Sequence, residues 1–220
     1  MGYSNSPLVS YTCLSPNHSG ERNHAIDTVT IHCVVGQASV ESLGSHFSHK
    51  TTQASSNYGI GYDGKIGLFV EEKNRSWCSS SGSNDHRAIT IEVASDAVPP
   101  YKVNDKAMES LVNLLTDICW RNNIKQLLWK ANKSLIGQVD KQNMTVHRWF
   151  ANKECPGEYL YNKHSEIAAE VNKRLSQEME TQSNELYRVQ VGAFKNKTNA
   201  ENLMQKLKSQ GYSDAFIVTK

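Results

Sequence analysis

Two short runs constrain the fold more than anything else in the chain, TVTIHCVV at residues 28–35 and AITIEVA at residues 88–94. Both are dense in β-branched residues, which pack well on a pleated surface, so both predict buried central strands. Each also carries one residue that is costly to bury without a partner, His32 in the first and Glu92 in the second.

The segments around them complete the pattern. SVESLGSHFSHK predicts a short helix, and YGIGYDGKIGLFV predicts two strands joined across Asp63-Gly64, a dipeptide suited to a positive-φ hairpin turn. From Asn104 to Asn122 the apolar residues Ala107, Met108, Leu111, Leu114, Leu115, Ile118 and Cys119 recur at helical spacing, with Asn104 or Asp105 as the cap. A short run near Met144 leads into His147, and Tyr159 to Leu175 predicts a second long helix. Strands alternating with helices define an α/β fold, a mixed or parallel central sheet flanked by helices.

Residues 176–184, SQEMETQSN, are polar and predict a linker between a domain at 1–175 and a small unit at 185–220. Within that unit LYRVQVGAF, NKTNAENLMQKLKSQG and DAFIVT read as strand, capped helix and strand. A β-α-β unit this short lies below the roughly 40 residues at which a lone domain becomes marginal, so it is expected to complete itself by pairing.

Composition excludes some functions. A net charge of +2 with scattered basic residues does not suggest a nucleic-acid binder. No run approaches the roughly 18–20 apolar residues of a membrane-spanning helix. The N-terminal MGYSNSPLVSYTC lacks the basic and apolar regions of a signal peptide, so synthesis in the cytoplasm is expected. The five cysteines, Cys13, Cys33, Cys78, Cys119 and Cys155, contain no C-x-x-C pair and read as thiols or metal ligands rather than a disulfide framework.

The chemistry concentrates in MTVHRWFANKECPGEYL, residues 144–160. Zinc favours nitrogen and sulfur donors, and a catalytic site leaves one position for water. His147 and Cys155 offer two donors eight residues apart, with Pro156-Gly157 turning the chain, and His32 is the best third candidate. The competing readings are plain ones: a hydrogen-bonded core histidine and an ordinary Cys-Pro-Gly turn. His46 and His49 could chelate but read as a solvated helix face, while His18, His24, His86 and His164 lack supporting context. Lys153, two positions before Cys155, would project to the same side of an extended segment, where its ammonium could stabilise an oxyanion. Glu92 is either a salt-bridged structural carboxylate or a general base beside a metal-bound water.

Together these residues resemble the zinc-dependent N-acetylmuramoyl-L-alanine amidases, the group that includes phage amidases, bacterial wall-recycling amidases and animal peptidoglycan-recognition proteins. The resemblance covers roughly residues 20–175 and rests on TVTIHCVV with His32, on His147-Arg148, and on Cys155-Pro156-Gly157. It implies zinc on His32, His147 and Cys155, and catalysis by Glu92, Lys153 and, in members where a tyrosine lines the zinc site, Tyr58. Substrate contacts are implied for Trp77, Cys78 and Arg148. The implied reaction is hydrolysis of the amide between N-acetylmuramic acid and L-alanine in peptidoglycan.

Departures stand beside the match. Trp77-Cys78 replaces a common Trp-His pair, Asn57-Tyr58 a common His-Tyr pair, and Cys33 a small polar residue. None removes a ligand. The tail resembles half of a SPOR-type peptidoglycan-binding repeat, and two chains are expected to pair their halves in a homodimer; the plainer reading is a short extension docked on its own catalytic domain. The alternative is a recognition module that binds muropeptide without cleaving it, against which Cys155 speaks. A wall-cleaving activity without a signal peptide implies an endolysin, or a host lytic amidase, that reaches the cell wall after release. Neither nucleic acid nor membrane insertion is expected.

Overall fold

The computed structural model describes residues 3–183 and 189–219. The chain divides into two compact units at Glu180. In the first, the elements are β1 (Tyr11–Thr12), β2 (His18–Glu21), β3 (Thr28–Val34), α1 (Val40–Ser48), β4 (Tyr58–Ile60), β5 (Ile66–Leu68), β6 (Asn74–Ser76), α2 (Gly82–Arg87), β7 (Ala88–Ala94), α3 (Asp105–Arg121) and β8 (Met144–Thr145). α4 (Gly157–Ser183) follows, and α5 (Lys197–Ser209) lies in the second unit.

The central sheet has the order β1-β5-β4-β7-β3-β8 and is mixed, because β4 and β5 are antiparallel while β4, β7, β3 and β8 run parallel. β2 and β6 form a separate antiparallel pair. The hairpin turns where expected, with Gly64 at φ 84°, a conformation that costs glycine least.

Side chains alternate across a sheet with period two, so register decides what each face carries. β3 and β7 pair with Val29 opposite Ile89, Ile31 opposite Ile91, and His32 opposite Glu92. Val29, Ile31, Ile89, Ile91 and Val93 belong to one core cluster with Leu111, Leu114, Leu115 and Ile118 of α3 and Leu160, Ile167 and Val171 of α4. The opposite face carries Thr30, His32, Thr90 and Glu92. Its lower layer is polar but satisfied: Thr30 bonds Thr145 at 2.8 Å, and the Asn84 amide donates to Thr30 at 3.0 Å and accepts from Thr145 at 3.0 Å.

α3 is capped as its sequence predicts, Asn104 accepting from the Ala107 amide. α4 runs further than expected: residues 176–183, read from polarity as a linker, continue the helix, since the Gln, Glu and Met of this run are good helix formers. In the second unit α5 forms, with Asn196 accepting from the Thr198 amide at 2.9 Å. The two flanking strands do not form among the described residues, and residues 186–188 of the first lie outside them. Val189, Val191, Phe194 and Val218, which alternation places in those segments, are exposed.

His164 shows what the helical stripe can hide. It stands four residues after Leu160 and four before Ala168, wholly buried against Trp129, with ring centroids 4.4 Å apart. Its Nδ1 lies 2.6 Å from the Leu160 carbonyl, which places the proton on Nδ1, and burial pulls its pKa down to about 4. The folded state therefore favours neutral His164. Its contribution is complete above the unfolded value near 6.5 and is lost as the pH falls towards 4, on the order of 3 kcal/mol in all. Unfolding free energy measured from pH 7 to pH 4 should fall in the wild type and fall less steeply in His164→Leu; equal slopes would show that His164 is not responsible.

Candidate metal centre

Three separate pieces of backbone bring donors to the ends of β3 and β7. His32 comes from β3, His147 from a single 3-10 turn after β8 (His147–Trp149), and Cys155 from the loop that leads into α4. One donor atom from each lies within 4.8 Å of the other two. His32 Nδ1 is 3.3 Å from Cys155 Sγ and 3.9 Å from Glu92 Oε1. A second overlapping cluster joins His32 to Cys78 and Glu92.

Local bonds hold the two downstream donors together. The Arg148 amide donates to the Cys155 carbonyl at 3.1 Å, and the Arg148 guanidinium reaches Glu158 and the Glu154 carbonyl, both at 2.6 Å. From the other side Tyr101 donates to Glu154 at 3.1 Å. Gly157 is required here twice over, since its φ is 76° and a Cβ would meet Tyr101 Cδ2 at 2.9 Å.

The electrostatics suit a cation ligated by neutral nitrogen and a thiolate. Burial, with His147 alongside, pulls His32 down to about 3, and burial with the Lys153 charge lowers His147, so both rings are neutral at physiological pH. Its hydrogen bond with Cys33, followed by burial and the Glu92 carboxylate, raises the Cys155 thiol, so deprotonation there calls for a nearby cation. Burial also pushes Glu92 up to about 7. Donors sharing a tetrahedral zinc at about 2.0–2.3 Å stand about 3.5 Å apart, and the 3.3 Å between His32 and Cys155 fits that spacing. His32 Nε2 and Glu92 Oε2 are buried polar atoms with no protein partner.

The remaining expected residues fall into two groups. Cys78 is at the centre, its Sγ 3.8 Å from Glu92 Oε1, and Lys153 is exposed on the Cys155 loop. Trp77 is partly exposed with its indole donating to Ser19 at 2.6 Å, and Arg148 is engaged by Glu158 of α4 and the Glu154 carbonyl. Tyr58 is not at the centre. It pairs with Ile91 on the core face of the sheet, and Gly59 stands opposite Glu92, so the strand offers no side chain there. Its hydroxyl instead donates to buried Glu72 at 2.6 Å and accepts from the Ser6 amide at 2.9 Å. Sequence reasoning missed Ser80, whose Oγ lies 3.0 Å from His147 Nε2, and the buried Asp85 beneath it. The Ser-rich run 79–83 was the available signal.

The profile of the N-acetylmuramoyl-L-alanine amidase family (Amidase_2) matches residues 22–158, and the chain belongs to that family. The SPOR domain profile matches residues 174–220. Among solved structures, a mutant endolysin from Bacillus subtilis aligns with a TM-score of 0.56 at 19% identity, covering 74% of this chain and 99% of that one. A selenomethionine derivative of AmpD aligns at 0.54 and 17% identity, covering 76% and 99%, and Drosophila peptidoglycan recognition protein SA at 0.51 and 16%, covering 70% and 90%. These likenesses show the fold. No curated protein sequence matches significantly.

Moving Tyr58 out of the centre has a measurable consequence. Tyr58→Phe should cost about 1.5–3 kcal/mol of stability through the lost bond to the Glu72 carboxylate, while turnover on peptidoglycan stays within about twofold. A stable Tyr58→Phe protein with turnover reduced a hundredfold would return Tyr58 to the catalytic set.

Proposed function

We propose that the chain is a zinc-dependent amidase that hydrolyses the bond between N-acetylmuramic acid and L-alanine in peptidoglycan. The observation that carries this reading is the convergence of His32, His147 and Cys155, from three distant segments, beside Glu92 in a chain of the amidase family. His32, His147 and Cys155 would hold the ion. Zinc bound there would supply Lewis acidity for the scissile carbonyl and lower the pKa of a bound water towards about 7.

The side chains divide the remaining work. Glu92 takes the proton of the attacking water and returns one to the departing L-alanine amine. The Lys153 ammonium stabilises the oxyanion that develops on the lactyl carbonyl. Trp77, partly exposed on the same loop as Cys78, offers apolar surface to the muramoyl group. Arg148 supports Cys155 rather than the substrate.

The tail is read as the wall-binding part. We take residues 1–175 as the catalytic domain and 185–220 as a SPOR-like unit that pairs with a second copy. The exposed Val189, Val191, Phe194, Tyr212, Phe216 and Val218 support that pairing, since a partner strand would cover them. Endolysin-type action on the cell wall after release follows from this combination.

Mass spectrometry of fragments from defined peptidoglycan should show free lactyl carboxylates and new L-alanine amines, both abolished by a chelator and restored by zinc. Binding without cleavage would make the chain a recognition module. Glu92→Gln and Lys153→Ala should lower kcat about a hundredfold or more with zinc retained. His32→Ala, His147→Ala and Cys155→Ala should lose zinc; full zinc content in all three would show the ligands to be misassigned. Sedimentation at micromolar concentration should give a dimer for the full chain and a monomer for residues 1–175, and a monomeric full chain would refute the pairing.

A further inference from the structure

We infer that the loop between β6 and α2, residues 77–81, is a bracket for this centre, in which Ser80 is a positioning residue for His147 and Cys78 a positioning residue for Glu92. The inference rests on the zinc-amidase reading and deepens it.

The loop is built to aim side chains. The Asp85 carboxylate, buried in α2, accepts the amides of Cys78 at 3.1 Å and Ser79 at 3.1 Å, and the Ser81 hydroxyl caps α2 by accepting from the Asn84 amide at 3.4 Å. Between those pins Ser80 adopts φ 64°, a region serine rarely enters. From there its hydroxyl reaches His147 Nε2 at 3.0 Å across 67 residues of sequence. Among the described residues this is the one hydrogen bond the His147 side chain makes.

A histidine that ligates through one nitrogen carries its proton on the other, and a partner for that proton fixes both tautomer and ring orientation. Ser80 Oγ accepting from Nε2–H leaves Nδ1 of His147 with its lone pair free. His32 presents the same atom, since its Nδ1 is the nitrogen 3.3 Å from Cys155 Sγ. Two rings offering Nδ1 and one thiolate make a consistent donor set.

Cys78 acts on the other side. Its thiol donates to Glu92 Oε1 at 3.8 Å, while Oε2 has no protein partner and is the oxygen left to take a proton. Held by Cys78, the carboxylate keeps one rotamer; released, it turns. The assignment also separates Cys78 from a substrate-binding role: a substrate contact moves KM, whereas a residue that aims the base moves kcat.

The test uses the full chain as wild type, Ser80→Gly, Cys78→Ala and Cys78→Ser. Glycine suits φ 64°, so Ser80→Gly removes the hydroxyl without straining the loop, and its thermal stability should hold or rise. Its affinity for zinc ion alone, measured against a chromophoric chelator, should fall about 10–100-fold. The side-chain 15N shifts of His147 in the metal-free protein should change from a single Nε2–H tautomer to a mixture. Cys78→Ala should keep zinc affinity and KM while kcat falls at least about fivefold, and Cys78→Ser, which keeps a donor, should recover part of the loss. Wild-type zinc affinity and an unchanged tautomer in Ser80→Gly, or a raised KM with kcat intact in Cys78→Ala, would overturn the bracket while leaving the amidase reading in place. A wild-type chain that takes up no zinc would overturn both.

Discussion

The in-register parallel pairing of β3 with β7 is the interaction on which everything else depends. It sets Val29, Ile31, Ile89 and Ile91 against the helices, and by the same alternation it sets His32 and Glu92 side by side on the other face. Hydrophobic burial on one face thus fixes the geometry on the other. A slip of one residue in either strand would turn His32 or Glu92 onto the apolar core face and an isoleucine or valine onto the polar one, so packing of the core protects the placement of the site. Thr30, Thr145 and Asn84 satisfy one another in the polar layer beneath His32, while His32 Nε2 keeps no protein partner.

The other two donors arrive by a different route. His147 and Cys155 sit on short irregular segments, where precision comes from hydrogen bonds and from Gly157 rather than from a sheet. The Arg148 amide joined to the Cys155 carbonyl makes these two donors one unit. Arg148 and Tyr101 then hold that unit against α4 and the loop before α3. Division between a rigid strand donor and a braced loop pair lets the centre be both buried at His32 and open at Lys153.

Much of this was legible in the sequence, for identifiable reasons. His32 and Glu92 were visible because each interrupts an otherwise β-branched run, and α3 because its apolar spacing and Asn104 cap agree. Tyr58 was misplaced because its role depends on strand parity, and nothing local says whether Tyr58 or Gly59 faces Glu92. Ser80 was invisible for a related reason: its partner is 67 residues away, and a serine-rich run reads as solvated loop until the Asp85 carboxylate is seen gathering its amides. His164 was passed over among polar neighbours although it falls on the α4 stripe. The tail strands were read from alternation, which reports what a segment can do beside a partner and not what it does alone.

The centre ties these observations to the family to which the chain belongs, since amide hydrolysis at neutral pH needs an activated water, a base and a stabilised oxyanion within one small volume. The most direct measurement is X-ray absorption at the zinc edge of the zinc-loaded chain. The account predicts a first shell of two imidazole nitrogens at about 2.0–2.1 Å, one sulfur at about 2.3 Å and one light oxygen donor. A shell with two or more sulfurs, or with no sulfur at all, would contradict it.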